Sequence, residues 1–298
     1  MCTARDKGLA PDHDAVGSTG LPTRSLLDYA SFMRLTAGQL TRFHADGFLV
    51  LPELFARAEV DVLRAELPRL FSEDTAANIR EKTSGEVRTA MGLHLRSGVY
   101  ARLCRHPRLV EPARQILGTD RLYIQQAKVN AKVAFSGEVW QWHYDFATHH
   151  AEDGAPEPLA LNLHVFLDDV LEVNGPLYFI PGSHKRGPAR ARLDVETTSY
   201  PLWVVDRDTV ARLVEESGRI VSATGPAGTA LIFGDCLVHA SPPNLSPWDR
   251  GIFSVILNPI ANAYTKTGRP DYKHHRDLSP VTPLDDNCLR RAPAAAAE

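Results

Sequence analysis

The 298-residue chain reads as a mainly β fold with flanking helices, and three observations predict it. Before Gly118, apolar residues recur at the 3.6-residue period of helices. From Leu122 onward the period falls to 2, the alternation of strands. The strands so defined carry polar residues on one face, which suits the inside of a barrel that holds a charged ligand. Lys and Arg number 33 against 36 Asp and Glu, a net charge of -3, so neither a nucleic-acid nor an anionic-membrane surface is expected. The partner is expected to be a small molecule. No apolar signal segment follows Met1 and no run of 18 apolar residues occurs, so the protein is read as cytoplasmic. Cys2, Cys104, Cys236 and Cys288 are too scattered for a disulfide framework and are read as free thiols.

Residues 1–27 mix Gly, Pro, Ser and Thr without periodicity and are read as a flexible leader. One domain is expected over 28–285, with a disordered tail over 286–298. Thr36 opens a helix as N-cap, with Leu40 and Phe43 at helical spacing. Asp46-Gly47 turns into the short strand Phe48–Leu51, and Ala56 to Phe71 is helical. Residues 72–100 are polar and unpatterned, either a loop over the substrate or a surface connection. Pro107 to Leu117 forms a helix closed by Gly118.

From Leu122, Tyr123, Ala127, Val129, Ala131 and Val133 share one strand face, opposite Gln126, Lys128, Asn130 and Lys132. An edge strand with one wet face is the alternative. Leu159, Leu161, Leu163, Val165 and Leu167 likewise alternate with Asn162, His164 and Phe166. Asn174-Gly175-Pro176 turns into the strand Leu177–Ile180, which stops at Pro181-Gly182-Ser183-His184. His184 in that turn is expected to brace backbone. Residues 188–224 are an insertion with a helix near Arg207 to Glu216. Strands resume at Thr229–Phe233 and Gly251–Asn258.

A candidate metal site lies among these strands. His143 and Asp145, two residues apart in Trp140-Gln141-Trp142-His143-Tyr144-Asp145, share a face if the segment is a strand. His239 stands 94 residues beyond Asp145, at the end of a late strand, and Arg250 eleven residues beyond His239. Two imidazoles and one carboxylate fill one face of an octahedral Fe(II) and leave positions for a chelating cosubstrate and O2. A guanidinium at a strand start suits the far carboxylate of a dicarboxylic cosubstrate, with the Ser241 hydroxyl beside it.

These residues carry a resemblance. Trp142-His143-Tyr144-Asp145-Phe146, Glu152-Asp153-Gly154, Asn174-Gly175-Pro176-Leu177, Pro181-Gly182-Ser183-His184 and His239-Ala240-Ser241 through Ser246-Pro247 to Arg250 resemble the phytanoyl-CoA dioxygenase superfamily of Fe(II)/2-oxoglutarate oxygenases. Leu35-Thr36 and Asp46-Gly47-Phe48 also fit, and coverage runs from about residue 35 to 265. Within the superfamily the chain is similar to ectoine hydroxylases and to bacterial hydroxylases of free amino acids such as leucine. The resemblance implies a double-stranded β-helix, the cupin-like jelly-roll. It implies iron held by His143, Asp145 and His239, and 2-oxoglutarate held by Arg250 and Ser241, with Gln126, Asn130 and Trp140 lining the cosubstrate pocket. Lys128 stands where ectoine hydroxylase has an Arg facing its substrate. His149 and Ser254 replace a Trp and a Phe, which favours another polar or amino-acid substrate over ectoine. Lys128, Asn162, His164 and His149 are the candidate substrate contacts. Related halogenases have a small residue at the position of Asp145, so Asp145 points to hydroxylation, with release of succinate and CO2.

Three rival functions remain open at this point: an oxygenase of a carrier- or CoA-bound substrate or specialised metabolite, a jelly-roll binding protein without turnover, and a cupin-type isomerase or sugar-binding protein. His150, Glu152 and Asp153 are expected at the rim, His274 and His275 in solvent, and Tyr144 in packing.

Overall fold

The computed structural model describes residues 33–290; the expected leader and residues 291–298 lie outside them. Helix α1 (Ala37–Asp46) starts at Thr36, whose hydroxyl accepts from the Gln39 amide while the Gln39 side chain accepts from the Thr36 amide. It ends at Gly47, φ 88°. A Cβ there would also stand 2.5 Å from the His184 ring nitrogen Nδ1, so glycine is required twice over. His184 Nε2 meets the His44 carbonyl at 3.3 Å, the bracing role expected of it.

Strand β1 (Phe48–Leu51) is followed by α2 (Arg57–Ser72), β2 (Asn78–Arg80), β3 (Val87–Met91), α3 (Leu93–Arg96), α4 (Gly98–Cys104) and α5 (Pro107–Leu117). The remaining strands are β4 (Leu122–Lys132), β5 (Trp140–His143), β6 (Leu161–Phe166), β7 (Leu177–Phe179), β8 (Ala191–Asp194), β9 (Leu202–Val205), β10 (Val221–Ala223), β11 (Ala230–Gly234), β12 (His239–Ser241) and β13 (Arg250–Pro259), with α6 (Arg207–Ser217) between β9 and β10. They form a seven-stranded sheet, β1-β11-β6-β13-β4-β3-β2, and a six-stranded sheet, β10-β7-β12-β5-β9-β8. Every pairing between these strands is antiparallel. From β4 to β7, and again from β10 to β13, each strand crosses to the opposite sheet. That alternation is the jelly-roll.

The outer face of the larger sheet carries Ala127, Val129, Leu163, Val165, Phe253 and Val255 against Leu63 and Leu70 of α2, Leu103 of α4 and Leu109 of α5. A second cluster, including Phe48, Phe166, Phe179 and Phe233, joins the two sheets on their inner faces. Each such residue fully withdrawn from water contributes roughly 1.5–3 kcal/mol. Among the described residues no helix is long and apolar enough to cross a membrane.

Several expectations change. The β4–β13 pairing slips between Ile256 and Leu257, leaving Gln125 as an extra residue. This bulge reverses the alternation. Tyr123, expected with Ala127, instead lies opposite Asn258 on the inner face. Residues 72–100 are not loop: β2 and β3 form a hairpin on the edge of β4. The insertion over 188–224 supplies three strands of the smaller sheet, β9 pairing with β5 through His143↔Val204. Residues 286–290, assigned to the tail, are docked, with Leu289 buried and Asp286 paired to Arg108 at 2.6 Å. The described cysteines, Cys104, Cys236 and Cys288, are buried and free.

Candidate active site

Strands β5 and β12 are neighbours in the smaller sheet, and His143 lies directly across from His239. Their rings stand 4.1 Å apart. Asp145 does not reach them by strand alternation. The strand stops at His143, and Asp145 turns helical (φ -71°, ψ -30°) at the head of the turn Phe146–Thr148. The turn brings its carboxylate between the two imidazoles, Oδ1 3.8 Å from His143 Nε2 and Oδ2 3.9 Å from His239 Nε2. One ligand atom from each residue falls within 4.8 Å of the others.

The tautomers follow from the backbone. His143 Nδ1 lies 2.6 Å from the Gln141 carbonyl and His239 Nδ1 2.9 Å from that of Leu237. A carbonyl only accepts, so each Nδ1 carries the proton and each Nε2 offers a lone pair to the common point. Burial, then the neighbouring His239, pushes His143 down to about 3. Burial likewise lowers His239. For Asp145 burial acts upward, but His239, His143 and Lys128 outweigh it and hold the carboxyl below its ordinary range. Two neutral imidazoles and a carboxylate are the deprotonated donor set that a divalent iron requires. Asn162, expected at substrate, donates from Nδ2 to Asp145 Oδ2 at 2.9 Å, and so orients the carboxylate of the candidate metal site.

The larger sheet supplies the opposite wall. Arg250 opens β13, 2 % exposed. Its Nη1 has one long contact, 3.4 Å to the Asn130 carbonyl, and its Nε has none. Burial pushes this guanidinium down to about 9. A buried cation in that state is destabilising until an anion arrives, which fits the far carboxylate of 2-oxoglutarate. Ser241 lies nearby, its Oγ donating to the Gly175 carbonyl at 2.9 Å. Asn130 Oδ1 accepts from Thr89 at 3.0 Å. Trp140 is covered by the Arg88 guanidinium at 3.9 Å. Gln126 donates to the Lys273 carbonyl at 2.6 Å, which leaves its Oε1 buried and unpartnered.

Lys128, Ser254 and His164 form one row across β4, β13 and β6. Ser254 Oγ and His164 Nδ1 have no hydrogen-bond partner among the described residues. His149, 3 % exposed, hands Nδ1 to Asp235 at 2.8 Å. All the expected site residues line one cleft.

Four further residues belong here. Tyr200 and Arg269 line the cleft; Asp153, expected at the rim, is 1 % exposed and paired to Arg269 through Nε at 2.7 Å and through Nη2. His274, expected in solvent, is 3 % exposed with Nδ1 3.0 Å from Asp153. His275 is also partly buried, its ring 4.5 Å from that of His94. Nothing in the polar composition after Asn262 marks this segment as wall; only its partners inside the fold do. Tyr144 packs as expected, its hydroxyl donating to the Ala189 carbonyl at 2.5 Å.

The phytanoyl-CoA dioxygenase (PhyH) family pattern matches residues 43–252. The L-proline trans-4-hydroxylase of Streptomyces griseoviridis is 37 % identical over 257 residues, covering 83 % of this chain and 96 % of its own. The ectoine dioxygenase of Bordetella bronchiseptica is 35 % identical over 266 residues, covering 84 % and 86 %. Crystal structures of EctD from S. alaskensis superpose on 84 % of this chain and 87 % of theirs at 32 % identity. The TM-score is 0.74 with 2-oxoglutarate and 5-hydroxyectoine present and 0.73 with bound Fe.

Proposed function

The chain belongs to the phytanoyl-CoA dioxygenase family, and from that premise we propose that it hydroxylates an unactivated C–H of a free amino acid or amino-acid-derived metabolite. It is an Fe(II)/2-oxoglutarate-dependent dioxygenase. His143, Asp145 and His239 hold the iron, and Arg250 receives the far carboxylate of 2-oxoglutarate. Iron, 2-oxoglutarate and O2 together supply the oxidant that replaces C–H with C–OH, with release of succinate and CO2. The protein's part is position and dryness. Asn162 fixes Asp145, the Gln141 and Leu237 carbonyls fix the imidazoles, and Phe233, Leu177 and Leu202 keep bulk water off the reacting carbon.

One observation carries the substrate class. Lys128 brings an ammonium to the cleft and forms no ion pair among the described residues, while Gln126 Oε1 is a buried acceptor locked in place by the Lys273 carbonyl. A cation waiting for a carboxylate, beside an acceptor waiting for an N–H, suits the two ends of an amino acid. Succinate release and product mass, followed in air across L-proline, the other free amino acids and ectoine, test the reading. At least one amino acid is expected to stimulate succinate and gain one oxygen atom. Stimulation by a carrier-bound acyl substrate and by none of these compounds would sink it.

A further inference from the structure

Lys132 ends β4 directly across the ladder from Arg250, yet it has no part in the chemistry above. It is 1 % exposed. Its amine is met by backbone carbonyls, those of Glu138 at 2.7 Å and Pro242 at 2.5 Å, with that of Ser241 at 3.5 Å. Two loop glycines give its stem room. A Cβ on Gly137 would stand 2.8 Å from Lys132 Cβ, and one on Gly175 2.6 Å from Lys132 Cδ. Both glycines have positive φ, 85° and 84°, so the loops are shaped around this side chain.

Burying an amine is unfavourable unless its N–H groups are satisfied, so its carbonyl partners account for a lysine where a leucine or methionine would fill the space. Burial, then Arg250 and Arg88, holds its pKa well below the ordinary range, and an amine donates to carbonyls in either protonation state. The contacted segments adjoin the cleft that Arg250 lines: Glu138 leads into β5, whose Trp140 lines it, and Ser241, also in its lining, ends β12 with Pro242 following. Gly175, packed on the lysine stem, accepts the Ser241 hydroxyl.

We propose that Lys132 is a positioning residue for 2-oxoglutarate, a strut that ties the end of β4 to the β5 and β12 loops and so sets the Ser241–Gly175 wall against the Arg250 guanidinium. This rests on the reading of Arg250 as the seat of the far carboxylate. Removing the strut lets that wall drift, which weakens the grip on the cosubstrate and its discrimination by length; His143 and His239, on the same strands, keep their own anchors in the Gln141 and Leu237 carbonyls and in the β5–β12 ladder.

Lys132→Met keeps the stem and deletes the donors. In anaerobic titrations of Fe(II)-loaded protein with 2-oxoglutarate, followed by the visible band of the chelate, its dissociation constant is expected to rise tenfold or more. Fe(II) affinity measured without 2-oxoglutarate is expected to stay within twofold. Preference for 2-oxoglutarate over 2-oxoadipate, one methylene longer, is expected to narrow. A folded variant with wild-type 2-oxoglutarate affinity overturns the proposal, and so does a parallel loss of Fe(II) and 2-oxoglutarate affinity, which marks general loosening. Should Lys132→Met not fold, Lys132→Gln, one bond shorter and so unable to hold both the Glu138 and the Pro242 carbonyls, takes its place. Weakened 2-oxoglutarate binding with intact Fe(II) binding then supports the strut, and unchanged binding removes it. Arg250→Gln separates the two layers of the inference. If Arg250→Gln binds 2-oxoglutarate like wild type, the Arg250 reading fails and the strut with it; if Arg250→Gln loses binding while Lys132→Met keeps it, the strut alone fails.

Discussion

Asn162 donates one 2.9 Å hydrogen bond to the carboxylate proposed to complete the metal site, and groups in that position commonly govern metal affinity ten- to a hundredfold. Asn162→Ala is expected to weaken Fe(II) binding by about that factor while leaving 2-oxoglutarate affinity, once iron is saturating, nearly unchanged. Paired metal and cosubstrate titrations check it. Asp145→Gly is expected to abolish hydroxylation; full activity in that variant would mean the triad is wrongly assigned. That His143, Asp145, His239 and Arg250 converge on one cleft was legible because their order and spacing along the chain are specific even though each residue alone is not. Asn162 was legible as a residue of the inner face, but the alternation of a strand could not tell whether it would meet substrate or a metal ligand. Arg269 and Asp235 carried no signal, because a buried charge looks like a surface charge until its partner is known.

The segment after β13 is the element whose behaviour is most open to test. It is held by Asp153, which pairs with Arg269 and His274, by the Thr265 and Lys266 amides on the Asp153 carbonyl, and by the β4 bulge, where the Gln125 carbonyl accepts from the His275 amide and the Gln126 side chain donates to Lys273. For the Asp153 carboxyl burial acts upward, but hydrogen bonds from His274 and then Arg269 outweigh it and bring it down to about 2. A carboxyl depressed in the folded state adds stability that is fully present above its unfolded value of about 3.9 and lost as pH falls through the folded one. The stability difference between wild type and Asp153→Asn, from denaturant melts at several pH values, is therefore expected to be level above about pH 4 and to shrink toward pH 2. A difference that instead grew on acidification would contradict the ion-pair clasp. Helices with caps and apolar stripes, α1, α2 and α5, could be read directly. The β2–β3 hairpin could not, because its side chains are spent in buried pairs such as Arg88 with Glu81 and Glu138 rather than in an apolar alternation.

Across the whole molecule the jelly-roll was predictable because β6, β13 and β4 beyond its bulge at Gln125 keep period 2 with polar residues on one face, and that face became the cleft. Strands β8, β9 and β10 were not, since strands of three or four residues are too short to establish a period. The same core couples ligands to stability. Fe(II) and 2-oxoglutarate together, each at about a hundredfold its dissociation constant, are expected to add roughly 5.5 kcal/mol, about 2.7 from each, or about 10–20 °C in Tm for a domain of this size. Anaerobic calorimetry with and without a chelator reads this directly. The most direct measurement is an anaerobic Fe(II) titration in the presence of 2-oxoglutarate, followed by visible absorption, on wild type, Asp145→Gly and Arg250→Gln. A weak band saturating near one iron per chain in wild type, needing more Fe(II) to saturate in Asp145→Gly and requiring about a hundredfold more 2-oxoglutarate in Arg250→Gln, is the expected result. A wild-type protein that develops no band, or variants that match it, would contradict the assignment of this cleft to iron and 2-oxoglutarate.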